Sequence, residues 1–148
     1  MSDLSKKIER DFLQAYKAKD TQKVAVLRML KAAIKNKQVE LGREPDDAEV
    51  LGILTSQLKQ RQESFEQYKS AGREDLAEQE LKETGIIEEY LPPPMSDEEL
   101  GRIVEEAVRE TGAEGMKDMG RVMQKIMPEC KGRVDGKKVS EAVRAKLS

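Results

Sequence analysis

Histidine and tryptophan are absent from this chain, and cysteine occurs once, at Cys130. Without histidine the chain lacks the side chain that most often ligates zinc or serves as a general base near neutral pH, and much catalytic chemistry is excluded with it. A lone cysteine cannot close an internal disulfide, so a cross-linked secreted scaffold is ruled out. Aromatic residues make up 3%, too few for a sheet-rich core, which draws on aromatic and β-branched side chains. No run approaches the roughly 18 apolar residues of a membrane-spanning helix, and residues 1–10 lack the apolar core of a signal peptide. The expectation is a cytoplasmic chain with no membrane association, no metal and no cofactor.

What is present is charge. Asp, Glu, Lys and Arg make up 38% of 148 residues, a composition that suits long solvated helices on one ordinary domain or two small ones. The formal net charge of −2 conceals an uneven distribution. Lys and Arg stand at 11 against 5 Asp and Glu over residues 1–43, 7 against 19 over 44–112 and 9 against 5 over 113–148. The segment charges are therefore +6, −12 and +4. Basic ends around an acidic middle permit a local phosphate-binding face on a chain whose isoelectric point near 5.5 argues against a general nucleic-acid coat.

Apolar spacing predicts an all-α fold. Leu4, Ile8, Phe12 and Tyr16 recur every four residues behind a cap supplied by Ser2 or Asp3, giving a first helix to about Ala18. Asp20 caps a second, striped by Val24, Leu27, Leu30 and Ile34, that frays near Gly42. Asp46 and Glu49 have capping-box spacing before Leu51, Leu54, Leu58, Phe65 and Tyr68, a long helix reaching Ala71 and interrupted in its apolar seam by Arg61. Arg61 there is expected to snorkel or to pair with a carboxylate across a hairpin. Leu76, Leu81, Ile87, Tyr90 and Leu91 mark a fourth helix that closes an antiparallel hairpin.

Consecutive prolines fix an extended backbone without amide donors, so Pro92-Pro93-Pro94 reads as a stiff spacer. The boundaries drawn from it are an N-terminal hairpin domain over 1–92, a spacer over 93–95 and a C-terminal helical domain over 96–148. In the latter, Ser96 to Glu99 form a capping box, and Leu100, Ile103, Val104, Ala107 and Val108 carry a helix to Gly112. Met119, Val122, Met123, Ile126 and Met127 define a second helix ended by Pro128, and Val139, Val143 and Leu147 a third capped by Asp135. Met116, Met119, Met123 and Met127 are assigned to core packing.

The sharpest functional candidate is the basic loop between those last two helices. Lys131, Arg133, Lys137 and Lys138 fall close together, with Arg121 and Lys125 on the preceding helix. Such cations neutralise phosphates and release counterions, while Gly132 and Gly136 admit close backbone approach and the following helix N-terminus adds a favourable dipole. The plain alternative is a solvated loop with two turn glycines. All aromatic residues fall on expected apolar stripes, leaving none for base stacking, so recognition of shape and backbone is expected. Gly132 to Lys138 is one residue short of a phosphate loop and lacks the Ser or Thr after lysine. Acidic pairs such as Glu105/Glu106 point about 100° apart on a helix and do not converge on a metal or an acid-base site. Cys130 has no neighbouring base and reads as a passive thiol.

Several segments in order resemble the YqeY family: Arg28-Met29-Leu30-Lys31, Lys59-Gln60-Arg61, Ala71 to Leu76, Glu89-Tyr90-Leu91-Pro92, Met116 to Met123 and Lys131 to Lys137. The chain departs from that pattern at Gly85, where glutamate is usual, and in the extra prolines Pro93-Pro94. The resemblance implies a helical N-terminal domain and a small three-helix domain similar to the tail of GatB, the tRNA-binding subunit of the glutamine-dependent amidotransferase. It therefore implies a tRNA-binding accessory module without chemistry of its own, in which Lys131, Arg133, Lys137 and Lys138 contact phosphates, Arg28, Lys31 and Lys35 assist, and Gly120 permits close helix packing. Its implied partners are tRNA and amidotransferase or translation components. Two alternatives stand beside it: a protein-interaction adaptor using the acidic middle, and carbon–nitrogen ligase activity with glutamine as amido donor, exercised only within an amidotransferase complex.

Overall fold

The computed structural model describes all 148 residues, and they are helical with no strand. They form two compact units, Met1–Leu91 and Pro92–Ser148.

The first unit contains α1 (Asp3–Lys17), α2 (Thr21–Leu41), α3 (Asp47–Ser70) and α4 (Glu74–Glu88). Side-chain oxygens accept the first free amides of three of them. Ser2 takes the Ser5 N–H at 3.1 Å, Asp20 the Lys23 N–H at 3.2 Å, and Asp46 the Glu49 N–H at 2.8 Å, with Glu49 returning a bond to the Asp46 N–H. α1 pairs with α2 and α3 with α4. Ile8, Val26, Leu27, Leu30, Val50, Leu54, Ile87 and Tyr90 form their shared core. The Tyr90 hydroxyl donates to Asp11 at 2.7 Å, fastening the end of α4 to α1, and burial together with that carboxylate raises the phenol well above its ordinary range.

Two apolar residues fall outside the faces expected for them. A four-residue repeat advances about 40° per step on a 3.6-residue helix, so Tyr16 lies roughly 120° around α1 from Leu4. It is 63% exposed, and Ala15 takes the buried position. Leu76 and Leu81 are five residues apart, roughly 140° around α4. Leu81 is therefore 56% exposed, while Ala77, Thr84 and Ile87 face inward. Gly85 does not break α4, which runs through it.

The second unit contains α5 (Asp97–Thr111), a 3-10 turn (Met116–Asp118), α6 (Met119–Cys130) and α7 (Gly136–Leu147). Leu100, Val104, Ala107, Val122, Ile126, Cys130, Val139, Val143, Leu147 and the pre-helical Met95 make a separate core. Met119, Met123 and Met127 pack against it, but Met116 is 45% exposed on the 3-10 turn. Pro128 does not end α6. It lies inside the last turn, where only one intrahelical bond is lost, and burial of Cys130 holds the helix beyond it. Gly120 is not a close-packing position, because a Cβ placed there meets nothing within 4 Å.

Candidate nucleic-acid interface

The α6–α7 connection is a tight turn rather than an open loop. Gly132 adopts φ 80°, a left-handed conformation that lets the Arg133 and Val134 amides both return to the Cys130 carbonyl, at 3.0 and 3.1 Å. Asp135 then caps α7 by accepting from the Lys137 N–H at 3.2 Å. The Cys130 thiol is buried beneath the turn, and burial raises its pKa, the setting of an inert thiol.

The six candidate cations divide into unequal groups. Arg133 is the most constrained. Its Nε donates to the Pro93 carbonyl at 2.9 Å and its Nη2 to Glu99 at 3.0 Å, while its own carbonyl accepts from the Met95 N–H at 2.9 Å. The Glu99 carboxylate thus serves Arg133, and the Ser96 cap is one-sided, with only the Ser96 oxygen bonded, at 3.1 Å to the Glu99 N–H. Lys125 pairs with Glu110 at 2.8 Å, which raises the lysine pKa and lowers that of the carboxyl. Arg121 pairs with Asp118 at 2.9 Å. The Asp118 pKa is lowered first by the Glu114 N–H and then by Arg121. Lys138 pairs with Asp97. Lys131 and Lys137 alone of the six are exposed without a carboxylate partner, one on each side of the turn.

The α2 cations expected to assist differ among themselves too. Lys31 bonds Glu9 at 3.1 Å and lies 4.1 Å from the Phe12 ring centroid, Arg28 lies 5.7 Å from the same centroid, and Lys35 is exposed without an ion pair. A further set, not singled out from the sequence, lies on α1, where Lys6, Arg10 and Lys17 are exposed and none has an ion pair. Their signal was the excess of 11 basic against 5 acidic residues over 1–43. No three Cys, Asp or Glu side chains converge as a metal site requires, and no helix is long and apolar enough to cross a membrane.

Among known proteins the chain is similar to several fungal proteins named altered inheritance of mitochondria protein 41, mitochondrial. It is 29% identical over 147 residues to that of Pyrenophora tritici-repentis, covering 95% of this chain and 81% of the relative. With that of Vanderwaltozyma polyspora it shares 32% identity over 123 residues, covering 80% and 66%. With that of Eremothecium gossypii it shares 36% over 96 residues, covering 63% of this chain and about half, 52%, of the relative. The family model described as Yqey-like protein matches residues 5–147, across both helical units. On that match, the chain belongs to the YqeY family.

Proposed function

We propose that the chain is an RNA-binding accessory module that docks tRNA through phosphate contacts of its second unit and carries out no chemistry alone. The observation that carries the reading is the pair Lys131 and Lys137, exposed and without carboxylate partners on either side of a hydrogen-bonded turn. The turn's hydrogen bonds already order the backbone between the two cations, so that meeting a phosphate backbone costs lysine side-chain entropy without further backbone ordering. Lys125, Arg121 and Lys138 extend the patch, because exposed ion pairs are worth at most about 1 kcal/mol and exchange readily for a phosphate. Arg133, bonded to both Pro93 and Glu99, shapes the turn instead. Carbon–nitrogen ligase activity, in this reading, belongs to an amidotransferase complex that the chain joins. The reading holds for a cytoplasmic chain and for a counterpart of the relatives named mitochondrial alike.

The test is an equilibrium titration of the full chain with tRNA. Reversal of both lysines, Lys131→Glu with Lys137→Glu, is expected to weaken binding by more than about tenfold and to flatten the salt dependence by about 2. Unchanged affinity would contradict the reading. One observation favours an adaptor as a second reading: Leu81 is 56% exposed on α4 beside the acidic Glu78. A protein partner that stays bound after nuclease treatment and is lost in Leu81→Asp would support it.

A further inference from the structure

The outward face of α1 carries Lys6, Arg10, Leu13 and Lys17, all exposed, and Tyr16 borders it. Arg28 of α2 is exposed and lies over the ring of Tyr16's neighbour Phe12, 5.7 Å from its centroid. None of the four cations forms an ion pair; among the carboxylates near the face, Glu44, whose pKa Lys6 helps to lower, pairs with the N-terminus, and Glu9 pairs with Lys31. What distinguishes these cations is that Lys6, Arg10 and Lys17 share one helix face beside an exposed aromatic ring. Lys6 and Arg10 are about 6 Å apart along the helix axis, and Arg10 and Lys17 about 10 Å, so the charges form a row. The Tyr16 ring is 63% exposed and tilted 33° against Phe12 at 6.4 Å between centroids, which leaves much of its surface open at the edge of that row.

We propose that this α1 face, with Arg28, binds a single-stranded nucleic-acid segment, the cations along its phosphates and Tyr16 stacked on a base. A row of cations beside an open aromatic ring is what strand binding without sequence readout requires. An anionic membrane surface fits less well. The apolar side of α1, Ile8, Phe12 and Ala15, is already packed in the unit's interior, so only Leu13 and Tyr16 remain to enter a bilayer, far less than an interfacial helix buries. The inference concerns the first unit and stands apart from the tail reading.

Titrate the full chain with a labelled oligouridylate of about ten nucleotides, with phosphatidylserine–phosphatidylcholine vesicles as the comparison. Tyr16→Ala is expected to weaken oligonucleotide binding about tenfold and Tyr16→Phe to leave it unchanged, since stacking needs the ring alone. Arg10→Glu with Lys17→Glu should reduce binding further and flatten the logarithmic salt slope by more than about 1. The paired reversal at Lys131 and Lys137 should leave the oligonucleotide bound. The inference is overturned if Tyr16→Ala and the α1 reversal, both folded by circular dichroism, bind as the parent does. It is equally overturned if vesicles are bound and the oligonucleotide is not, or if only the Lys131 and Lys137 reversal removes oligonucleotide binding.

Discussion

Lys19 is the one residue other than glycine with positive φ, at 59°. The Asp20 N–H returns to the Ala15 carbonyl at 3.0 Å and the Lys19 N–H to Tyr16 at 3.2 Å, the hydrogen-bond pattern that usually places glycine at this position. The same pattern after α3 does have glycine, Gly72 at φ 73°. Lys19→Gly is therefore expected to stabilise the first unit by up to about 1 kcal/mol, less the added freedom of the unfolded chain, read as a higher denaturant midpoint at unchanged slope. Arg133 argues in the opposite direction. Arg133→Ala removes its bonds to Pro93 and Glu99 and should destabilise the second unit by about 2 kcal/mol. Well below the unfolding temperature it should leave tRNA affinity nearly intact, whereas the Lys131 and Lys137 reversal should do the reverse. Sequence placed Arg133 and Lys131 in one class because both are basic, and only the carboxylate and carbonyl within reach separate them.

At the scale of the element, helix starts were legible because a cap needs only one side chain and its neighbouring amides. Ser2, Asp20, Asp46, Ser96 and Asp135 all accept from the helix they precede. Exposure was less legible. The spacing of Leu4, Ile8, Phe12 and Tyr16 is too long for one face over four turns, and Tyr16 rotates out of the interior. Pro128 was misleading as a stop signal, since a proline in the last turn removes one bond without ending a helix whose final residue, Cys130, is buried. Arg61 behaves as its place in an apolar seam implies: its Nε lies 3.9 Å from Glu80 and 3.7 Å from Glu83 across the α3–α4 hairpin. Desolvation first, and Glu83 second, raise the Glu80 pKa against the lowering effect of Arg61. A carboxyl raised in the folded state contributes stability that is complete below its ordinary value and is lost as pH rises through the folded value. In Arg61→Met the two carboxylates face each other without a cation, so the variant should lose about 2–3 kcal/mol near neutral pH. That deficit should shrink as pH falls through the glutamate range, which denaturant midpoints at several pH values would reveal.

For the whole molecule, the all-α class followed from composition and spacing, and the YqeY assignment from segments spread along the chain and matched over residues 5–147. The site was only partly readable. Charge counting located a basic loop, but it could not foresee that Lys125, Arg121, Lys138 and Arg133 would find Glu110, Asp118, Asp97 and Glu99. The pairs of Lys125, Lys138 and Arg133 depend on which helices meet, a long-range property that no local pattern encodes, whereas Arg121 and Asp118 stand three residues apart and their pairing was readable from local spacing. The measurement that tests the central claim most directly is the affinity of the intact chain for tRNA across a series of salt concentrations. If three to five phosphates are engaged, log affinity should fall against log salt with a slope of about −2 to −4. A flat dependence, or no binding at low salt, would contradict the account.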